Sequence, residues 1–222
     1  MCYFLNMHSN KNSSEQSHAT PEPTRTFIEQ ARRAQIIEAT IEVLAEYGYS
    51  NLSFARIAKH ASISPSLISY HFQDKQELLN EVLIAISSER VAHMQQSIVT
   101  MTSAADKLRA AIEVDLAHMG THPKRFQALV EITFNMRSAK GTLVYMGDIE
   151  DPGLTALREI LEMGQKNGEF AKFDAGSVAM IIDAAMSNFL AQFPLRPSFN
   201  LESFTANLVD VALLIAKKGT HE

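Results

Sequence analysis

Leu52-Ser53-Phe54-Ala55-Arg56-Ile57-Ala58-Lys59-His60-Ala61-Ser62-Ile63-Ser64-Pro65-Ser66-Leu67-Ile68-Ser69-Tyr70-His71-Phe72 holds two short helices in succession. Ser53 can cap the first, Phe54 to His60, by accepting a free backbone N–H of its opening turn, and Leu52 with Ile57 forms a hydrophobic staple across the cap. The device then repeats. Ser64 caps the second helix, Pro65 takes the first helical position, where its missing N–H costs nothing, and Ile63 with Ile68 is the matching staple. Two helices this short, joined only by Ala61 to Ile63, bury too little by themselves. They cross steeply and need a third, longer helix to close a core, which is a helix-turn-helix.

That longer helix precedes them. Thr26 and Glu29 have the spacing of a capping box, and Ala34, Ile37, Ile41, Leu44 and Ala45 follow at three- and four-residue intervals until Gly48. On the other side, Asp74 and Glu77 repeat the capping-box spacing and open a helix with Leu78, Val82, Leu83 and Ile86 on one face. Everything further on also reads as helix. Ser103 and Asp106 open a segment carrying Leu108, Ile112, Leu116 and Met119, expected to stop at Gly120. Pro123 starts one with Phe126, Leu129, Val130 and Phe134, and Asp151-Pro152 another with Leu154, Leu157, Ile160 and Leu161, ending before Gly168. Asp174 to Phe193 and Leu201 to Lys218 are the last two, divided by the corner Pro194 to Pro197, while Ser138 to Asp151 has no clean period and reads as a connection. No strand signal appears. The expected class is all-α with about nine helices: residues 1–24, polar and aperiodic, form a disordered tail, 25–73 a helix-turn-helix head, and 74–222 a larger helical body.

At 100° per residue, Ile68 and Phe72 face inward on the second short helix, with Ser66 and Tyr70 opposite and Leu67 and Ser69 beside them. A face this small at its amino end fits a major groove. Ser66, Ser69 and Tyr70 can hydrogen-bond base edges or phosphates, Leu67 can touch a thymine methyl, and Lys75 on the next helix can neutralise a phosphate. Arg, Lys, Asn and Gln are absent from that face, so DNA shape and half-site spacing are expected to add to direct readout. Charge agrees with this division: residues 25–75 hold six Lys/Arg against five acids, and residues 76–222 thirteen against eighteen, so a near-neutral to basic head sits on an acidic body.

The segments Leu52 to Ala58, Ile63 to Phe72 and Asp74-Lys75-Gln76-Glu77-Leu78-Leu79 resemble the amino-terminal domain of TetR-family transcriptional regulators. The motif match runs from about Phe27 to Leu79, and beyond it the similarity is one of length and helix order. The resemblance implies a three-helix DNA-binding head on a helical, ligand-binding, dimerising body, usually a repressor released by a small molecule. Residue by residue it implies that Ser64, Ser66, Leu67, Tyr70 and His71 face DNA, with Ser53 at the neighbouring cap, and that Lys75 holds phosphate. Two positions depart from the family: Ser62 stands where the turn usually has Gly, and Ser69 where many members have Tyr.

The last two helices are apolar on two sides, which calls for covering on two sides. Val178, Ile182, Ala185 and Phe189, with Leu208, Val211, Leu213 and Ile215, are the expected interface of a homodimer paired through four helices, and the resemblance implies the same. Ten Met and twelve Phe suit an adaptable apolar lining. Leu116, Phe134, Met163 and Asp183 are the expected effector contacts, Asp183 being the one charge between Asp174 and Arg196. His118 and His122 with Asp115 could mimic a helix-borne metal face, but Gly120 and Pro123 are expected to break that helix, so no metal and no cofactor is assigned.

Composition narrows the rest. A 222-residue chain with 46% hydrophobic and 20% charged residues is globular, and its longest stretch free of Asp, Glu, Lys and Arg, Val91 to Ala105, is polar and too short for a membrane span. Cys2 to Leu5 lacks a preceding basic residue, so no secretory signal is read and a cytoplasmic location is expected. The single cysteine, Cys2, excludes an intramolecular disulfide framework. No phosphate loop, recurring carboxylate pair or placed nucleophile argues for catalysis; an all-α enzyme or an interaction adaptor is the alternative to a regulator whose partners are double-stranded DNA, a small-molecule effector and a second copy of itself.

Overall fold

The computed structural model describes residues 26–138, 141–143, 152–192, 198 and 200–218. The polar segment 1–24, most of the 138–151 connection, the Asp151 cap and the Pro194 to Pro197 corner lie outside these. Among the described residues are nine α-helices: α1 Phe27–Tyr47, α2 Phe54–Ala61, α3 Pro65–His71, α4 Lys75–Ile98, α5 Ala104–Thr121, α6 Pro123–Asn135, α7 Pro152–Asn167, α8 Ala175–Gln192 and α9 Leu201–Lys218. None is long and apolar enough to cross a membrane.

Local chemistry sets most of the boundaries. Thr26 Oγ1 accepts from Glu29 N at 3.3 Å while Thr26 N donates to Glu29 Oε2 at 2.8 Å, a complete capping box. Gly48, at φ +73°, ends α1. The buried face of α1 is rotated from the expected stripe: Ile36, Thr40, Val43 and Leu44 are buried with Ile41, whereas Ala34 is exposed and Ile37 half-buried. The reason is that α1 is covered on more than one side, by α2, α4 and α6. At α4 the box is incomplete. Asp74 Oδ1 accepts from Glu77 N at 2.8 Å, but the Glu77 carboxylate takes Gln73 N at 2.7 Å and turns toward Arg33 rather than back to the cap.

The turn between α2 and α3 rests on Ser62, the one described non-glycine residue with positive φ, at φ 55° and ψ 43°. Ile63 N donates to Ala58 O at 3.0 Å and Ser62 N to Lys59 O at 3.4 Å, the paired bonds of a Schellman ending. An L-residue held left-handed costs roughly 1–2 kcal/mol, partly offset in Ser62→Gly by the greater freedom of glycine in the unfolded chain. Ser62→Gly is therefore expected to raise stability by about 0.5–1 kcal/mol, read as a higher urea midpoint at unchanged slope.

Gly120 does not stop α5, which continues to Thr121. A Cβ at Gly120 would sit 2.6 Å from Leu201 Cδ2, so this glycine admits the start of α9. Helix α5 packs against α4, α7 and α9, and α7 against α8. Asp174 Oδ1 caps α8 through Ser177 N at 2.6 Å, and Asn200 Oδ1 caps α9 through Ser203 N at 2.8 Å.

Helix α4 spans about 36 Å at 1.5 Å per residue and runs from the helix-turn-helix into the body. It is not the sole connection. Helix α1 packs along α6, where Lys124 pairs with Glu42, Arg125 Nη2 meets Glu38 Oε1 at 2.8 Å, and Tyr49 N donates to Glu131 Oε2 at 2.8 Å. One continuous apolar core extends from Ile36 to Ala216.

Candidate nucleic-acid interface and effector cavity

Helix α3 is anchored from beneath. Ile68 and Phe72 are buried, and the buried guanidinium of Arg33 lies 4.0 Å over the Phe72 ring. Arg33 Nη1 donates to the His71 carbonyl, Nη2 pairs with Glu81 Oε1 at 2.9 Å, and Nη1 meets Glu77 Oε1 at 3.5 Å. This buried cation joins α1, the end of α3 and the first turns of α4. Arg33 was missed as a site-shaping residue because a sequence shows it only as one of two adjacent arginines.

The outer side of α3 is open. Tyr70 is 73% exposed, set edge-on to His71 with ring centroids 5.0 Å apart, and Ser64, Ser66 and Ser69 are exposed. Ser64 Oγ accepts from Leu67 N at 3.3 Å and lies 3.0 Å from Ser66 Oγ, while Ser69 Oγ donates to Pro65 O at 3.4 Å. Leu67 and His71 are half-buried at the edge. Ser53 caps α2 by accepting from Arg56 N at 3.3 Å. These hydroxyls keep lone pairs for a groove-side partner.

Lys75 is more constrained than a solvated phosphate clamp. Its Nζ donates to Tyr49 O at 3.2 Å and sits 4.2 Å above the Tyr49 ring, and burial holds its pKa below the ordinary lysine range. Two of its three N–H donors remain for an anion. The sequence reading passed over the exposed Lys59 and His60 on α2 and Arg56, which stacks 4.3 Å over Tyr47. They border the same groove as Ser53. The available signal was their three- and four-residue spacing on the helix preceding α3.

In the body, a cavity of about 10 Å³, room for one water, lies between α4, α5, α7 and α8. Val91, Met94, Leu157 and Met186 form its apolar wall. Its polar wall holds Asp183 and a buried pair in which Arg90 Nε and Nη2 donate to Asp115 Oδ1 and Oδ2 at 2.9 and 2.6 Å. Of the four expected effector contacts, only Asp183 borders this cavity. Leu116 is core, Met163 is half-buried with its sulfur 3.8 Å from Lys107 Nζ, and Phe134 is 61% exposed. Phe134 points away because the buried side of α6 is set by Phe126, Ala128, Leu129 and Ile132, nearly opposite it on the helical wheel.

The expected interface stripes also turn inward. Val178, Ile182, Phe189 and Leu208 are buried within the protomer, and Phe189 stacks on Phe204 with centroids 3.9 Å apart. Ala185, Leu213 and Ile215 are half-buried against the same core. Only Val211, 51% exposed, faces outward, accompanied by Met180 at 61%, Ile181 at 56% and Leu214 at 52%.

The helix-turn-helix with its anchored second helix has known counterparts. Residues 36–82 match the family model of bacterial regulatory proteins, tetR family. Over 189 residues, 82% of this chain and 84% of the relative, the chain is 29% identical to the probable acrEF/envCD operon repressor of Escherichia coli K12. The helix-turn-helix segment is thus similar to that of the TetR family. The relatives that it resembles are transcriptional regulators rather than enzymes. The TetR fold extends over the body as well. FadR from Bacillus subtilis in complex with stearoyl-CoA superposes with a TM-score of 0.72 at 20% identity over 85% of this chain and 99% of that one. A transcriptional regulator from Saccharomonospora viridis in complex with choline gives 0.68 at 22% identity over 82% and 95%.

Proposed function

We propose that this chain is a repressor that binds a two-fold symmetric operator as a homodimer and is released by a small molecule entering the body. Residues 25–73 act as the DNA-binding domain and 74–222 as the ligand-binding and dimerisation domain. The observation that carries the reading is the outer face of α3: Ser66, Ser69 and Tyr70 lie uncovered on a helix whose other side Arg33, Ile68 and Phe72 hold rigidly. A preorganised helix with small residues at its amino end is suited to enter the major groove. Ser53, Ser64, Leu67 and His71 edge the contact, and Lys75 with Lys59 and Arg56 meets the phosphates.

Operator sites selected from a random duplex pool test this. Lys75→Ala is expected to weaken binding to all sequences alike and to flatten the log-affinity against log-salt slope by about one unit per half-site. Tyr70→Ala is expected to cost about 1–3 kcal/mol, and preferentially on the selected site. Equal affinity of wild type and both variants would overturn the assignment.

The effector reading follows from the cavity. A space that holds one water opens only if α4, α5, α7 or α8 moves, and α4 carries Arg90, Val91 and Met94 at one end of the same rod that carries the head. The effector is mostly apolar, to match Val91, Met94, Leu157 and Met186, with a polar end that meets Arg90, Asp115 and Asp183. Relatives of this fold bound to stearoyl-CoA and to choline support a body that takes ligands of this mixed character. Displacing α4 by a few ångströms mismatches two heads set for half-sites about 34 Å apart, and by linkage DNA weakens the effector by the same factor.

A further inference from the structure

Glu89 and His93 lie four residues apart on α4, on one face and one turn from each other. His118 of α5 faces them. Its Nε2 is 3.4 Å from Glu89 Oε1, its side chain is only 8% exposed, and its ring stacks on His93 with centroids 4.4 Å apart and planes at 29°. One ligand atom from each of the three lies within 4.8 Å of the other two. The sequence pattern Asp115, His118 and His122, to which no metal is assigned, is not what the fold assembles. Asp115 is committed to Arg90, and the His122 Nδ1 is taken by the His118 carbonyl oxygen at 2.9 Å.

We propose that Glu89, His93 and His118 form a binding site for a divalent first-row transition-metal ion, zinc among them, bridging α4 and α5. Bonds of about 2.0–2.2 Å to imidazole nitrogen and carboxylate oxygen in tetrahedral geometry put ligand atoms about 3.4 Å apart. The Glu89–His118 separation already has that value, and rotation of the exposed His93 closes the remainder. Two imidazoles and one carboxylate leave a position open for water or an added ligand, and exclude magnesium or calcium, which take oxygen donors. The His122 ring also lies against His118, with centroids 4.4 Å apart and planes tilted by 32°.

The site has a path to the head. Glu89 Oε2 lies 3.3 Å from Arg125 Nη1, and Arg125 Nη2 in turn pairs with Glu38 of α1. A metal ion on Glu89 Oε1 draws negative charge from the Oε2 that faces Arg125 and so changes the α6–α1 contact. This coupling, unlike the site itself, rests on the DNA-binding reading above.

The test uses the full-length, tag-free chain stripped with a chelator. Zinc is titrated by calorimetry, and cobalt(II) serves as a spectroscopic stand-in whose visible bands report nitrogen and oxygen ligation. One ion per protomer is expected. His93→Ala and Glu89→Gln, both on the helix surface, are expected to weaken it by about tenfold or more. His118→Ala removes a largely buried ring, so the two surface variants decide if it fails to fold. His8→Ala and His18→Ala, outside the described residues, are expected to leave affinity unchanged. Absence of stoichiometric binding, or equal affinity in Glu89→Gln and His93→Ala, overturns the site. Zinc is further expected to shift operator affinity about threefold or more in wild type and not in His93→Ala. Binding without that shift overturns the coupling through Arg125 while upholding the site, and a chain that binds zinc but no DNA overturns the repressor reading alone.

Discussion

Arg33→Ala is expected to lower the stability of the protein by about 3 kcal/mol and to abolish operator binding at concentrations that saturate the wild type. The guanidinium is buried, and its loss leaves the His71 carbonyl without its donor and Glu77 and Glu81 without their cation. Breaking a buried ion pair from one side costs about 3–5 kcal/mol. The lower end applies because Glu77 and Glu81 are each about a third exposed, so water takes over part of their solvation. Against a total of roughly 5–15 kcal/mol this is a large share. Two further variants separate the contributions. Arg33→Met keeps an apolar stem over Phe72 and loses the charge, and Arg33→Lys keeps the charge and loses the planar fork that serves a carbonyl and two carboxylates together. Urea unfolding followed by circular dichroism gives the stabilities. A loss under about 1 kcal/mol for Arg33→Ala would show that α3 is held by Ile68 and Phe72 alone.

Ile181→Glu and Leu214→Glu are expected to leave a folded protomer that no longer pairs. Met180, Ile181, Val211 and Leu214 form the outward apolar stripe of α8 and α9, and a carboxylate there is solvated in the monomer but unpaired and desolvated in a four-helix interface. Operator affinity should then fall by about 10²–10⁴, the advantage that joining two half-site contacts in one molecule confers. Leu208→Glu and Ile182→Glu would place the charge in the protomer's own core and unfold it instead. Sedimentation velocity at micromolar concentration, with circular dichroism as the check on folding, distinguishes the two results. A wild type that sediments as a monomer, or Glu variants that remain dimeric, would remove the dimer and with it the two-fold operator.

The helix-turn-helix was legible because its determinants are local. Ser53, Ser64, Pro65 and Asp74 act on backbone groups within three residues of themselves, and the staples around each cap span five, so sequence spacing is spatial spacing. Ser62 was marked only as standing where the resembled turn usually has Gly, and its left-handed conformation is a finding of the structure. Helix ends misread from sequence are those where a distant group intervenes. Gly120 sits inside α5 because Leu201, eighty-one residues later, needs the space; the start of α4 at Asp74 was read correctly, and there only the second half of the box differs, Glu77 accepting from Gln73 N while its other oxygen lies 3.5 Å from Arg33.

By itself, then, the sequence determined an all-α chain, the order and rough limits of its helices, and a serine- and tyrosine-bearing face on α3. Only the tertiary structure decided which side of each body helix looks inward. Helices α8 and α9 are apolar around most of their circumference, so no hydrophobic period singles out one side, and the choice between Ile182 and Ile181, or Leu208 and Val211, is made by where α5 and α7 press against them. The same holds for the polar groups that give the body its chemistry. Arg90 finds Asp115, and Glu89 and His93 find His118, across twenty-five or more residues of chain; such meetings depend on the register in which α4 packs on α5, a sum of many apolar contacts that no local pattern encodes.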